Sequence, residues 1–284
     1  MEVKRKSRRI FIIVWVALIA GLLTAIILVG PPEEEAESIK AVMKDGVLHE
    51  INRINLFGIS VNPSLISAYV VTAVLLLAAV LIRIFAIPRF KYTPGKFQSV
   101  IEMLVEFFRG MATSNSPHKT GFVSGYIFSA GVYICIGTLF ELFGVQAVTT
   151  EGNSIALPAP LADINGAIAM GVMSYTVILF AGIITNGVKG GLKVLKDFSL
   201  PISMSFRLFG ALLSGLLVTE LVYYYVSLSF VLPVVVGVLF TILHALIQTY
   251  VLATLVSVFY GEAVEPKKKK INVEEENKNE QEAA

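Results

Sequence analysis

The amino-acid sequence predicts an all-α membrane protein with about six transmembrane helices and one amphipathic surface helix, the last two spans being long and tilted. Three observations predict it. The 284 residues are 55% hydrophobic and only 15% charged, with a mean hydropathy of +0.75; soluble domains are about 45–50% apolar with about a quarter of their residues charged. Apolar runs of about 18 residues or more recur, each long enough to cross about 30 Å of hydrocarbon as a helix. Lysine and arginine collect in alternate loops, the pattern that orients membrane proteins.

The first run, Ile10–Val29, follows MEVKRKSRR and has the look of a signal peptide. It exceeds the 7–15 residues of a secretory core and meets Pro31-Pro32 without a small-x-small cleavage pattern, so residues 1–30 read as a retained signal-anchor span. Residues 31–62 then form an extracytoplasmic loop, and residues 63–262 the main membrane domain. Its spans are Ser64–Ile87, Phe122–Gly144, Ile164–Gly187, Leu200–Val226 and Leu232–Tyr260, punctuated by Asn62-Pro63, Pro158, Pro160 and Gly190-Gly191. The fifth span, about 27 residues or roughly 40 Å as a helix, exceeds the hydrocarbon thickness and should tilt. Between the second and third spans, Thr93-Pro94-Gly95 predicts an N-cap with proline in the first helical turn. The helix that follows sets Phe97, Ile101, Leu104, Val105 and Phe108 opposite Lys96, Glu102, Glu106 and Arg109. It is too charged to span and should lie along the membrane surface. Residues 263–284 end in KKKKINVEEENKNEQEAA, which has no apolar period and predicts a disordered cytoplasmic tail.

Orientation follows from the basic residues. Of the 23 lysines and arginines, 19 fall before the first span, between Arg83 at the end of the second span and the third span, and after the fourth and sixth; only Lys40, Lys44 and Arg53 fall on the other side. Both termini are therefore expected in the cytoplasm. The one basic residue left over is Arg207, inside the fifth span.

Several function classes are excluded. A net charge of +2 offers no basic surface for nucleic acid. The single cysteine, Cys135, lies in an apolar run and suits neither a disulfide nor a metal cluster. No phosphate-binding glycine loop is present, since PGKF at Pro94–Phe97 lacks the upstream glycine and the following hydroxyl. No metal, cofactor, nucleotide or bond chemistry is indicated.

Arg207 carries the functional argument. It sits in LPISMSFRLFGALLSGLLV with eight or more mostly apolar residues on either side. An arginine at that depth costs at least about 2.5–3.5 kcal/mol and cannot escape by deprotonating. Snorkelling or a buried ion pair are the plain alternatives, although the run continues past it to Val226. Ser203, Gly210 and Ser214 share its helical face, and small residues let another helix come close, from this chain or a partner. On the sixth span His244 and Gln248 stack one turn apart, with Thr241 and Thr249 beside them; a histidine there commonly serves packing alone. Glu220 is a second costly group in the outer half of the fifth span. Glu141, Asp163 and Asn165 lie near outer span ends.

These segments resemble subunit a of the rotary F-type ATP synthases. SFRLFGALLSG is similar to that family's S-x-R-L-F-G-N core, PGKFQSVIEMLVEF to its surface helix, PAPLADIN to the P-x-A-D-L-N stretch opening the fourth span, and ALIQTYVLATLVSVFYGEAVE to the last span. The four motifs keep the family's order and cover about residues 55–265. The resemblance places Arg207 on the family's essential arginine, Gln248 on the glutamine beside it, and Glu262 on the terminal acidic position. Asp163 and Asn165 fall on the opening of the fourth span. It implies an ion-translocating stator in the cell's plasma membrane (the inner membrane), itself no enzyme. Two half-channels would lead protons or sodium ions to a ring of c subunits, with Glu220 and His244 among their lining. Ser203, Gly210, Ala211 and Ser214 would meet that ring, and a b-type peripheral stalk subunit and the rest of the synthase would be further partners. The chain departs from the family at Ala211, where asparagine is usual, and at Leu216, where an acidic residue is frequent and Glu220 follows four residues on. Thr241, not His244, aligns with the histidine of some members. The first span and PPEEEAES are extra to the shortest members.

The competing reading is a secondary transporter that holds an anionic substrate on Arg207. Such folds show internal repeats and broken midplane helices, and the sequence displays neither. A pure scaffold gives no reason to keep an arginine inside the bilayer.

Overall fold

The structure, a computed structural model, describes residues 21, 24, 54–56, 59–148, 154–224 and 232–266. Most of the expected first span, of the loop after it and of the tail lies outside the described residues. The described chain is mostly helical. A short hairpin of β1 (Ile54–Leu56) and β2 (Ile59–Val61) pairs Ile54 with Val61. Helix α1 (Pro63–Leu81) continues through a wide turn, Ile82–Ala86, and a tight one, Ile87–Arg89. Helix α2 (Lys96–Asn115) and helix α3 (Thr120–Phe140) follow. A second hairpin, β3 (Gln146–Val148) and β4 (Ser154–Ala156), precedes α4 (Ile164–Leu195), α5 (Ser199–Tyr224) and α6 (Leu232–Val264). Neither hairpin is foreseen by an all-helical reading of the sequence. Each is too short to show an apolar period of its own.

Four described helical stretches are long and apolar enough to cross a membrane: Pro63–Arg89, Thr120–Phe143, Ile164–Leu195 and Val234–Val264. α5 is a fifth long helix, of 26 residues. Only 6% of the apolar window of Pro63–Arg89 is buried by the chain itself, which suits a helix solvated by lipid. Its start is set locally: the Asn62 side chain accepts from the Ser64 backbone N–H at 3.0 Å, and Pro63 stands where its missing N–H costs nothing.

The start of α2 differs from expectation. Thr93 is not its cap and Pro94 is not in its first turn; Gly95 takes the cap position and the helix opens at Lys96. The reason is Gln98. Its side-chain amide accepts from the backbone N–H of Lys91 at 3.0 Å and donates to the Lys91 carbonyl at 2.8 Å, holding the preceding residues in a turn outside the helix. Along α2 the chain buries Phe108 and Ala112, while Phe97, Leu104 and Val105 stay exposed. An exposed apolar stripe opposite charges is what a membrane surface would cover.

The chain divides into two compact units. One holds the described residues up to Arg89, Val132–Ile168 and Ser205–Thr249. Its core gathers Ile54, Val71, Phe140 and Leu157 with Ile66, Leu75, Tyr133 and the inward residues of the second hairpin. Tyr133 and Thr72 are hydrogen-bonded, and Gly137 lets the Pro160 ring lie against α3. The other unit holds Phe90–Gly131, Ala169–Met204 and the chain from Tyr250. There Phe108 meets Phe128 edge-on at 5.7 Å, and the Tyr126 and Ser174 hydroxyls bond at 2.8 Å.

Within the second unit, α4 is two helices. Gly187 (φ 63°, ψ −158°) breaks it, in a backbone region that only glycine enters at no cost. In a straight helix residues eight apart lie about 12 Å from each other. Here a side chain on Gly190 would overlap the carbonyl of Gly182, and Tyr175 Oη donates to the Val194 carbonyl at 3.2 Å. The segment after Gly187 therefore folds back along the helix before it, where the sequence suggested only a loop.

Candidate functional site

The site is built on α5 and α6. Leu200, Met204, Leu208 and Leu212 recur every four residues and are all buried, giving α5 one apolar inner stripe. The adjoining face carries Ser203, Phe206, Arg207, Gly210 and Ser214, all exposed, with Ala211 half-buried beside them. Arg207 thus stands beside Ser203, Gly210 and Ser214 on a face that the described residues leave exposed. Among the described residues its guanidinium has no carboxylate partner.

Gln248 of α6 is buried, 5% exposed, and its Nε2 donates to the backbone carbonyl of Arg207 at 3.4 Å. The contact is long and reaches the main chain, so the glutamine lies behind the arginine and not on its guanidinium. Gln248 and Arg207 are nonetheless brought to one level of the helix pair.

One turn earlier on α6, His244 is half-buried, with its ring tilted at 54° and 5.8 Å from that of Phe240. It rests against Gly215 of α5, where an added Cβ would stand 3.1 Å from both Cε1 and Nδ1. Gly215 went unremarked in the sequence. Its signal, a glycine opposite a large polar ring, is visible only once the pairing of the two helices is known. Thr249, named beside Gln248 in the sequence, is hydrogen-bonded through its side chain to the Cys135 thiol of α3, a partner that only the pairing of the helices reveals.

The remaining candidates are placed apart. Asp163 and Asn165 open α4; Asp163 is half-buried and its carbonyl accepts the first helical N–H, from Ala167, at 3.1 Å. Among the described residues no hydrogen bond joins either side chain to Arg207, Gln248 or His244. Glu141 is half-buried in the tight turn Glu141–Phe143 that ends α3. Glu220 lies within α5, thirteen residues beyond Arg207 along the helix; its side chain falls outside the described residues. Glu262 is exposed in the last turn of α6. Among the described residues no group of three or more His, Cys, Asp or Glu gathers as metal ligands would.

What this arrangement can do is electrostatic. An arginine cation fixed within an apolar helix, with small residues on its face, can meet a carboxylate on a closely approaching helix. A family model described as ATP synthase A chain matches residues 66–261. The ATP synthase subunit a of Cereibacter sphaeroides is 26% identical over 211 residues, which cover 70% of this chain and 80% of that relative.

Proposed function

The chain belongs to the ATP synthase A chain family, and on that premise we propose that it is the ion-translocating stator of an F-type ATP synthase, with Arg207 as the group that separates two half-channels. It is a non-catalytic membrane subunit. The observation that carries the proposal is the uncovered α5 face on which Arg207 stands between Ser203, Gly210 and Ser214. A partner helix bearing an ionised carboxylate fits that face in both shape and charge.

The mechanism follows from the cost of charge in hydrocarbon. A ring of c subunits carries one carboxylate per hairpin, and only the neutral carboxylate can face lipid cheaply. An ion entering one half-channel neutralises a carboxylate, rides around with the ring, and leaves through the other. Arg207 pairs with the ionised carboxylate as it passes, displaces its ion and bars direct flow between the channels. Glu220, His244, Asp163 and Asn165 line the path from the outside. A six-span topology in the plasma membrane, with both termini cytoplasmic, puts the lysines of the α4 hairpin inside. The b-type stalk subunit would hold the chain against the ring's torque, and the long α5 and α6 would tilt to follow the ring's curvature.

The test is Arg207→Ala in the assembled synthase. Removing one partner of a desolvated ion pair costs about 3–5 kcal/mol, so ion-driven ATP synthesis per assembled complex should fall below detection, with a passive leak through the membrane sector. Normal coupling in whatever complexes assemble would make Arg207 a packing residue and end the proposal.

A further inference from the structure

Helix ends leave carbonyls without intrahelical donors, and a membrane helix commonly hands them to water or lipid headgroups. The C-terminal end of α6 is handled differently. Asn186 Nδ2 donates to the carbonyls of Ala263 at 2.9 Å and Glu265 at 3.1 Å, and Lys193 Nζ donates to the carbonyl of Glu262 at 3.0 Å. The two donors flank the Gly187 reversal, so one helical hairpin offers an amide and an ammonium to the same helix end. A third hold is steric. A side chain on Gly261 would overlap the backbone carbonyl of Asn115 and crowd the Cα of Ser116 at 3.3 Å. The end of α2 is therefore seated on bare α6 backbone.

Water or headgroups could satisfy these carbonyls without fixing the helix. Two donors from α4 and a glycine seat against the end of α2 instead tie this end to two separate elements. The reason lies in what lipid cannot do. Much of α6 is exposed and apolar, as at Val234, Leu239 and Leu246, and lipid tails are as apolar as these side chains. Sliding such a helix along its own axis changes its burial in lipid very little. Its axial position is set by the packed stripe Leu252, Val256 and Tyr260 together with the directional hydrogen bonds and hard contacts at its end.

We propose that Asn186, Lys193 and Gly261 are positioning residues that anchor the last helix against axial sliding while a rotor pushes on the membrane sector. The inference rests on the reading of Arg207 and Gln248 as the gate. Gln248 and Gly261 share one continuous helix, so a slide of the anchored end carries Gln248 with it by the same distance. The anchor keeps the amide of Gln248 at the level of Arg207 under load.

The experiment uses the intact synthase in vesicles, with ATP synthesis and ion leak measured per assembled complex at full and at limiting driving force. The variants are Gly261→Ala, Asn186→Leu, Lys193→Met and Lys193→Arg, with Arg207→Ala beside them. A displacement of about 1 Å can cost about a hundredfold where geometry matters; for Gly261→Ala we expect synthesis per complex to drop at least about tenfold, and more steeply at limiting driving force. Asn186→Leu and Lys193→Met should each lose about threefold, on the same reasoning applied to one of two donors, while Lys193→Arg keeps a donor and restores coupling. If Gly261→Ala fails to assemble, the pair Asn186→Leu and Lys193→Met decides. Fewer complexes, each coupling normally at every driving force, would overturn the anchor and leave a simple cap. Should Arg207→Ala itself couple normally, the gate reading fails. Should Arg207→Ala abolish synthesis while the other variants couple fully, the anchor alone fails.

Discussion

On α5 the guanidinium of Arg207 stands exposed among Ser203, Gly210 and Ser214, and no described carboxylate answers it. At the end of α6 the carbonyls of Glu262, Ala263 and Glu265 are each met by a side chain of α4. Both regions place strongly polar groups in or beside a mostly apolar helix. In one, the chain completes its own hydrogen bonds; in the other the described residues leave a full charge unanswered. A group satisfied internally explains itself as structure. A costly group left over in an apolar setting is the mark of a partner, which the proposed function supplies as a carboxylate on the rotor ring.

If Arg207 is needed only as positive charge, lysine should serve. We expect Arg207→Lys to remain at least about a hundredfold below wild type in ion-driven synthesis, because a compact ammonium lacks the planar fork and can lose its proton when desolvated. Moving the charge, with Arg207→Gln and Gln248→Arg together, should recover only a minor part. Gln248 is 5% exposed and reaches the main chain of Arg207, so an arginine there must thread out from behind α5. Synthesis at wild-type rates in the lysine variant would show that geometry is irrelevant and dissolve the contrast.

The two regions also differ in how far they could be read without a structure. Arg207 was legible because its cost is intrinsic: no neighbour needs to be known for a charge in an apolar run to stand out. Its face was legible too, since Ser203, Gly210 and Ser214 follow from helical spacing alone. The α6 end was not. Asn186 and Gly261 act on the backbone of other elements, and main-chain carbonyls carry no sequence signal. Gly190 and Gly191 read as punctuation, whereas their work is to let a helix fold back along Gly182 and Ile183. The start of α2 was misplaced because Gln98, seven residues beyond Lys91, competes with a local capping signal. Local patterns locate spans; contacts between elements decide where the spans begin, turn and lock.

A second way to sharpen the contrast is to ask which polar groups see water. In a Cys135→Ser background, which keeps a hydroxyl for Thr249, single cysteines at Asp163, Asn165, Glu220 and His244 should react with small water-soluble thiosulfonate or silver reagents. Those at the lipid-exposed apolar positions Ile242 and Leu246 should react at least about tenfold more slowly, because a thiol held in hydrocarbon forms little of the reactive thiolate. A cysteine at Ser154 should be reached from outside only, and one at Lys189 from inside only. Equal silence at all four polar positions would mean that they satisfy one another in a dry interior, like the α6 end. Reversed sidedness at Ser154 and Lys189 would overturn the topology.

The smallest expected effect tests the internally satisfied class away from both regions. The hydroxyls of Tyr126 and Ser174 bond at 2.8 Å between α3 and α4, and Ser174 Oγ also donates to the carbonyl of Met170 at 2.8 Å. Tyr126→Phe removes one hydroxyl but leaves Ser174 with its carbonyl partner, so no buried polar atom is orphaned. An intramembrane hydrogen bond of this kind contributes about 0.6 kcal/mol on average, and the ring keeps its packing. Reversible unfolding in detergent should show a loss of about 0.5 kcal/mol, with ion-driven synthesis per complex unchanged. Ser174→Ala should cost slightly more, since it strands the Tyr126 hydroxyl without its partner. A loss of coupling in Tyr126→Phe at unchanged stability would move this pair out of the structural class and onto the ion path, which would mean that internal satisfaction alone does not mark a group as structural in this chain.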